Sequence, residues 1–170
     1  MRSPLAVFAV VFLCAAPAAA LDMPERKAGL WELKLSVANS DQPRQTMRQC
    51  VDAETDRLMK SNFAGGAPQQ SCEKQNVSRQ GDAFVVESVC SFSGATTRSR
   101  AVITGSFDSG YKMDVASRRN GAASEDRMTV DAQWIGPCAA GQRPGDMVMP
   151  NGATINIRDV LTMRGGAKRP

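Results

Sequence analysis

From residue 30 onward, apolar and polar side chains alternate along much of the chain. In LWELKLSV, Trp31, Leu33, Leu35 and Val37 fall on one side, and Glu32, Lys34 and Ser36 on the other. YKMDVASR sets Tyr111, Met113 and Val115 against Lys112 and Asp114. RMTVDAQWI sets Met128, Val130, Ala132 and Trp134 against Arg127, Thr129, Asp131 and Gln133. RQTMRQCV, residues 44–51, alternates more weakly. A period of two with one apolar side is the habit of antiparallel strands that have one wet and one buried face. Turn signals at Asn39–Pro43, Arg79–Asp82, Ser93–Gly94, Asp108–Gly110 and Asn120–Ser124 separate these runs. The pattern predicts an all-β antiparallel meander of about seven or eight strands, forming a curved sheet or an up-and-down barrel.

One or two short helices interrupt it. In DAETDRLMK (52–60), Asp52 can cap, Glu54 suits the first turn and Lys60 the last. INIRDVLTM (155–163) fits strand and helix equally. SNFAGGAPQQS reads as a loop, AAGQRPGDMVMPNG (139–152) as a long Gly/Pro-rich loop, and residues 165–170 as a frayed tail.

The cysteines add long-range constraints. CEKQNVSRQGDAFVVESVC begins and ends on a thiol. A three-residue turn, Gln80–Asp82, pairs Arg79 with Ala83. That register, carried outward, sets Cys72 opposite Cys90, close enough for a disulfide. A slip of one residue would put the two thiols on opposite faces. Cys50 and Cys138 remain. If the last strand closes antiparallel against the first, both reach the corner near Gly29 and Leu30, and Trp31 and Trp134 become neighbours. Closely spaced redox pairs such as C-x-x-C are lacking, so the four thiols read as structural staples.

The N-terminus, MRSPLAVFAVVFLCAAPAAA, has one positive charge, an apolar run too short to span a bilayer and three terminal alanines. This is the plan of a secretory signal peptide, residues 1–20, cleaved after Ala20. Cys14 follows Phe12 and Leu13, which are too large for a lipid-attachment site. About 150 residues then remain, enough for one domain. The reading is a disulfide-stapled domain over 21–138 and an extension over 139–170, in the periplasm or secreted, without a transmembrane span in the mature chain.

Charge and composition exclude more than they assign. Removing Arg2 from 21 basic residues leaves 20 against 17 acidic, too mild an excess to indicate nucleic acid. The chain has no histidine. Ser-His-Asp and Cys-His machinery is therefore impossible, and common zinc sites lose their nitrogen ligand. No catalytic residue, metal or cofactor is expected. A hydrolase built on carboxylates near the helix start (Asp52, Glu54, Asp56) is the weakest candidate, since capping and solvation account for them. The methionines, Met147 and Met149 included, read as packing rather than a Cu(I) site.

Two candidate sites stand out. With Asp108–Gly110 as the turn, Ile103 faces Val115, and Arg100 meets Arg118 on the wet face. Arg98 and Arg127 lie nearby. Like charges directly opposite are unfavourable, and such a cluster suits phosphate or carboxylate. The second candidate is the interior: Trp31, Leu33, Leu35, Phe84, Ile103, Tyr111, Met113 and Trp134 would line a barrel that is either filled or holds one small apolar molecule.

The landmarks AGLWELKLSV and QTMRQCVDAE, then Cys72, Cys90 and Gly136-Pro137-Cys138, resemble in order and spacing a secreted bacterial family catalogued as domain of unknown function 3617. The resemblance spans residues 28–138. Ala28 stands where the family usually has proline, and the tail after Cys138 is long. It implies an exported single domain and carries no activity with it. The function expected is a non-catalytic binding module for an apolar small molecule or an anionic lipid or envelope component. The alternative is a structural or interaction protein of the envelope with a filled core and residues 139–163 as its contact, a reading that an exposed apolar patch around Met147–Met149 would favour.

Overall fold

The computed structural model describes residues 22–41, 43–63 and 71–166. The expected leader with Cys14 and Ala20, residues 64–70 of the expected loop, and residues 167–170 lie outside them.

Among the described residues nine strands form one antiparallel sheet. They are β1 (Gly29–Val37), β2 (Gln45–Val51), β3 (Ser71–Gln80), β4 (Ala83–Phe92), β5 (Ala95–Ser106), β6 (Gly110–Arg119), β7 (Asp126–Gly136), β8 (Asp146–Val148) and β9 (Thr154–Asn156). Helix α1 (Ala53–Phe63) joins β2 to β3, and α2 (Ile157–Gly166) follows β9. The spatial order is β3-β4-β5-β6-β7-β1-β2-β8-β9. The seventh strand therefore does close against the first, with Trp31 opposite Trp134. The sheet nevertheless stays open. The β8–β9 hairpin occupies the free edge of β2, and among the described residues β3 pairs only with β4, so the barrel alternative is not realised.

The segment read as the loop 139–152 contains β8. Arg48 and Gln49 of β2 pair with Val148 and Met147, which draws this stretch onto the sheet. Met147 is 3% exposed and belongs to the core, so it forms no surface patch. The ambiguous stretch 155–163 divides into the end of β9 and most of α2, which runs through Gly165 and Gly166, where the tail was expected to fray.

Two hairpin registers differ from expectation. Gln80 faces Ala83, so the β3–β4 turn has two residues, Gly81-Asp82, rather than three. Gly81 takes φ +60°, as the first central residue of a tight hairpin turn requires. That slip alone would separate the thiols. A β-bulge between Cys72 and Lys74 restores the register and sets Cys72 opposite Cys90, and the two form a disulfide. In the β5–β6 hairpin Ser106 faces Gly110, so Ile103 faces Met113 rather than Val115. This is a shift of two positions, which keeps every side chain on its expected face.

Local chemistry explains α1. The Asp52 carboxylate accepts the Thr55 amide at 2.8 Å, and the Thr55 hydroxyl accepts the Asp52 amide at 3.0 Å. This reciprocal cap satisfies two of the end groups that a helix leaves unpaired. The core joins Trp31, Leu33, Val130 and Ala132 from the sheet centre to Val51, Met59, Met147 and Ile157.

The seam between β1 and β7 is tight. Gly29 has φ +130°, and a β-carbon there would lie 2.6 Å from the Trp134 indole nitrogen and would strike the Gly136 carbonyl. Only glycine fits that corner. Beside it, Cys50 and Cys138 form the second disulfide.

Candidate functional site

The four arginines singled out from the sequence share one face of the sheet. Arg98 lies directly opposite Arg118, and Arg100 opposite Ala116, which in turn faces Arg127. The expected partner of Arg118 was Arg100. The two-residue register shift substitutes Arg98 and leaves the like-charge pair in place. Arg98, Arg100 and Arg118 line an open groove of about 500 Å³, with Glu87 and Val89 of β4 beneath them and Asn76 at its β3 end.

The charges in this groove divide cleanly. Arg100 reaches Glu87 at 3.4 Å and Gln80 at 3.3 Å. Val85, two residues from Glu87 on this face, is buried. Arg127 binds Glu125 at 3.1 Å, and Glu125 also lines the groove. Arg98 and Arg118 remain. Neither has a hydrogen-bond or ion-pair partner among the described residues, so two exposed guanidinium groups face each other without compensation. A second groove of about 450 Å³ on the same face holds Glu32, Lys34, Lys112 and Asp131. Arg48 and Lys34 flank Glu32, and Lys112 pairs with Asp114, so its charges are balanced.

The eight residues expected to line an interior all fall on the opposite face, in adjoining rows. Trp31 and Leu33 belong to the core cluster, and Leu35, Tyr111, Met113 and Trp134 pack against it. Phe84 meets Phe107 edge-on at 5.8 Å, Phe107 stacks on Tyr111 at 5.1 Å, and Tyr111 tilts against Trp31 at 5.7 Å. Ile103 is buried. With the sheet open, these residues line no barrel. Met59 and Ile157 from the helices fill the space beside Trp31 and Leu33.

The acidic trio near the helix start disperses. Asp52 caps α1. Glu54 binds Arg158 at 2.8 Å, at the surface. Asp56 is fully buried and holds Arg26. The Arg26 Nε donates to Asp56 at 2.6 Å, its backbone amide donates to the same carboxylate at 3.0 Å, and its Nη1 donates to Gln49 at 2.8 Å. Lys60 supplies a second cation at 3.0 Å. Burial pushes the Asp56 carboxyl up, but the charge and hydrogen bonds of Arg26, aided by Lys60, outweigh it and hold the group below its ordinary range. This network went unread in the sequence. Its signal was spacing: Thr55, Asp56 and Met59 fall on one helical side, and all three are buried. Arg26 also lies 5.9 Å from the Trp31 ring, and Lys27 sits 3.7 Å over Trp134. The Trp31 indole donates to the Lys27 carbonyl at 2.8 Å and the Trp134 indole to that of Ala28 at 3.1 Å. The paired tryptophans thus hold the strap that leads into β1.

Among the described residues no three His, Cys, Asp or Glu side chains gather as a metal site, and no helix is long and apolar enough to cross a membrane. The fold and site define a disulfide-stapled antiparallel β domain with an open arginine groove on its polar face. A family model described as protein of unknown function (DUF3617) matches residues 26–138, and the chain belongs to that family. The match begins at the buried Arg26 and ends at the disulfide-bonded Cys138. No curated protein and no solved structure matches the chain.

Proposed function

We propose that the protein is an exported, non-catalytic binding module whose arginine groove takes an anionic group of the cell envelope, such as the phosphate of a lipid headgroup. The carrying observation is the uncompensated pair Arg98 and Arg118, directly opposite on adjacent strands. Opposed like charges disfavour the empty state. A phosphate offers several acceptor oxygens, enough to take hydrogen bonds from both guanidinium groups. The two disulfides accord with an oxidising compartment. The apolar small molecule has less support, because side chains of the protein occupy the space beside Trp31 and Leu33.

The test is flotation with phosphatidylcholine vesicles, with and without phosphatidylglycerol. Each basic side chain near an anionic surface contributes roughly 1 kcal/mol. Arg98→Glu/Arg118→Glu is therefore expected to weaken binding to the anionic vesicles at least about tenfold. Arg127→Glu, which removes a cation already paired to Glu125, has the smaller effect. Equal binding by wild type and the double variant removes the proposal.

A further inference from the structure

The two edges of the sheet are unlike. β9 has 3 residues and leads directly into α2. β3 has 10 residues, and among the described residues nothing pairs with its outer side. Natural sheets usually shorten, cover or bend an edge of that length. Here the bulge between Cys72 and Lys74 bends only one end and leaves a regular run from Lys74 to Gln80.

The ladder shows which backbone groups of that run are free. A two-residue connection makes Gln80 and Ala83 a hydrogen-bonded pair. By alternation Ser78, Asn76 and Lys74 also bond to β4. The amides and carbonyls of Gln75, Val77 and Arg79 therefore point away from the sheet. Val77 is the midpoint of the regular run. It also ends an apolar row that crosses six strands: Val37, Met128, Val115, Ala101, Val86 and Val77.

We infer that β3 pairs antiparallel with β3 of a second copy, about a two-fold axis through Val77. This register pairs the whole regular run. Val77 meets Val77, Gln75 meets Arg79, Asn76 meets Ser78 and Lys74 meets Gln80, so no like charges are opposed. The outward groups of Gln75, Val77 and Arg79 become the hydrogen-bonded pairs that an antiparallel ladder requires. The half-buried Val77 gains an apolar neighbour, and the two apolar rows become one. The axis stands perpendicular to the sheet, so both arginine grooves open on the same side, where two sites can engage one surface together.

The test is the mass in solution of the purified protein with its disulfides intact, by light scattering across a concentration series. The expected mass is twice that of one chain. Val77→Pro removes an N–H that β4 does not use, a place where an edge strand tolerates proline. It is expected to halve the mass with an unchanged far-ultraviolet circular dichroism spectrum. Gln75→Pro removes the neighbouring outward N–H at an exposed position and serves if Val77→Pro misfolds. Amide exchange of the wild type gives an independent reading: in the dimer the amides of Gln75 and Val77 exchange as slowly as that of Asn76. A single-chain mass at every concentration, a dimer that survives both proline variants, or fast exchange at Gln75 and Val77 overturns the inference.

Discussion

Replacing Cys50 and Cys138 together with alanine lowers the unfolding free energy by about 4 kcal/mol, more than the same change at Cys72 and Cys90. The first bridge joins residues 88 apart and the second residues 18 apart, so the first restricts the unfolded chain more. Position in the native sheet adds to this. Cys50 is fully buried at the end of β2, and its carbonyl accepts the Gly145 amide at 2.8 Å. The bridge thus secures the corner where β1, β2, β7 and the start of β8 converge. The Cys72–Cys90 bridge joins strands of one hairpin, which the β3–β4 ladder already holds together. Urea titrations of the two double variants and the wild type decide the order. A larger loss from the Cys72/Cys90 variant shows that the strand ladder and packing hold the β1–β7 seam without the bridge.

Asp56→Ala has an effect of similar size, about 3–5 kcal/mol, because it leaves the Arg26 guanidinium buried without its counter-charge. Lys60, 22% exposed, can turn to water, but Arg26 is 8% exposed and cannot. The cost therefore comes from the stranded cation rather than from the lost attraction. Arg26→Leu/Asp56→Leu is accordingly more stable than Asp56→Ala, and a double-mutant cycle over the pair yields a coupling of the opposite sign to the single losses. The same pair predicts a pH dependence. The folded Asp56 carboxyl lies below its ordinary value of 3.8. Its contribution is fully present above that value and is lost as pH falls through the lower, folded one. Acid titration of wild type should show a steeper loss of stability below about pH 4 than Arg26→Leu/Asp56→Leu, which keeps only the losses from Glu32, Asp52, Asp114 and Asp146. Parallel titration curves for the two proteins refute the assignment.

The sheet was largely legible from its period. Six strands alternate clearly or carry a cysteine constraint, and the β1–β7 contact followed from asking where Cys138 could find Cys50. Registers were harder, because a turn of two residues and a turn of three differ by little in sequence. At Gly81-Asp82 the resulting error was cancelled by a bulge that no residue pattern announces. β8 was lost among Gly145, Pro144 and Pro150, since a strand of 3 residues has too few positions to show a period. The arginine face was legible because a shift of two residues preserves side. Its pairing was not, and the partner of Arg118 changed from Arg100 to Arg98. Arg26 escaped notice because nothing local distinguishes it from an exposed arginine. Its burial depends on α1 and β2, which lie far along the chain.

The central place of β1 governs the order in which the molecule can be assembled. β1 is the first strand along the chain, yet one of its two neighbours is β7, which lies about a hundred residues further on. Until that strand arrives, β1 and β2 form a two-stranded ribbon that is only marginally stable by itself. Cys50 waits with them. The next thiol to appear is Cys72, whose native partner, Cys90, has not yet emerged, so oxidation in order of appearance joins the wrong pair. Reaching the native pairs from that bond requires thiol–disulfide exchange.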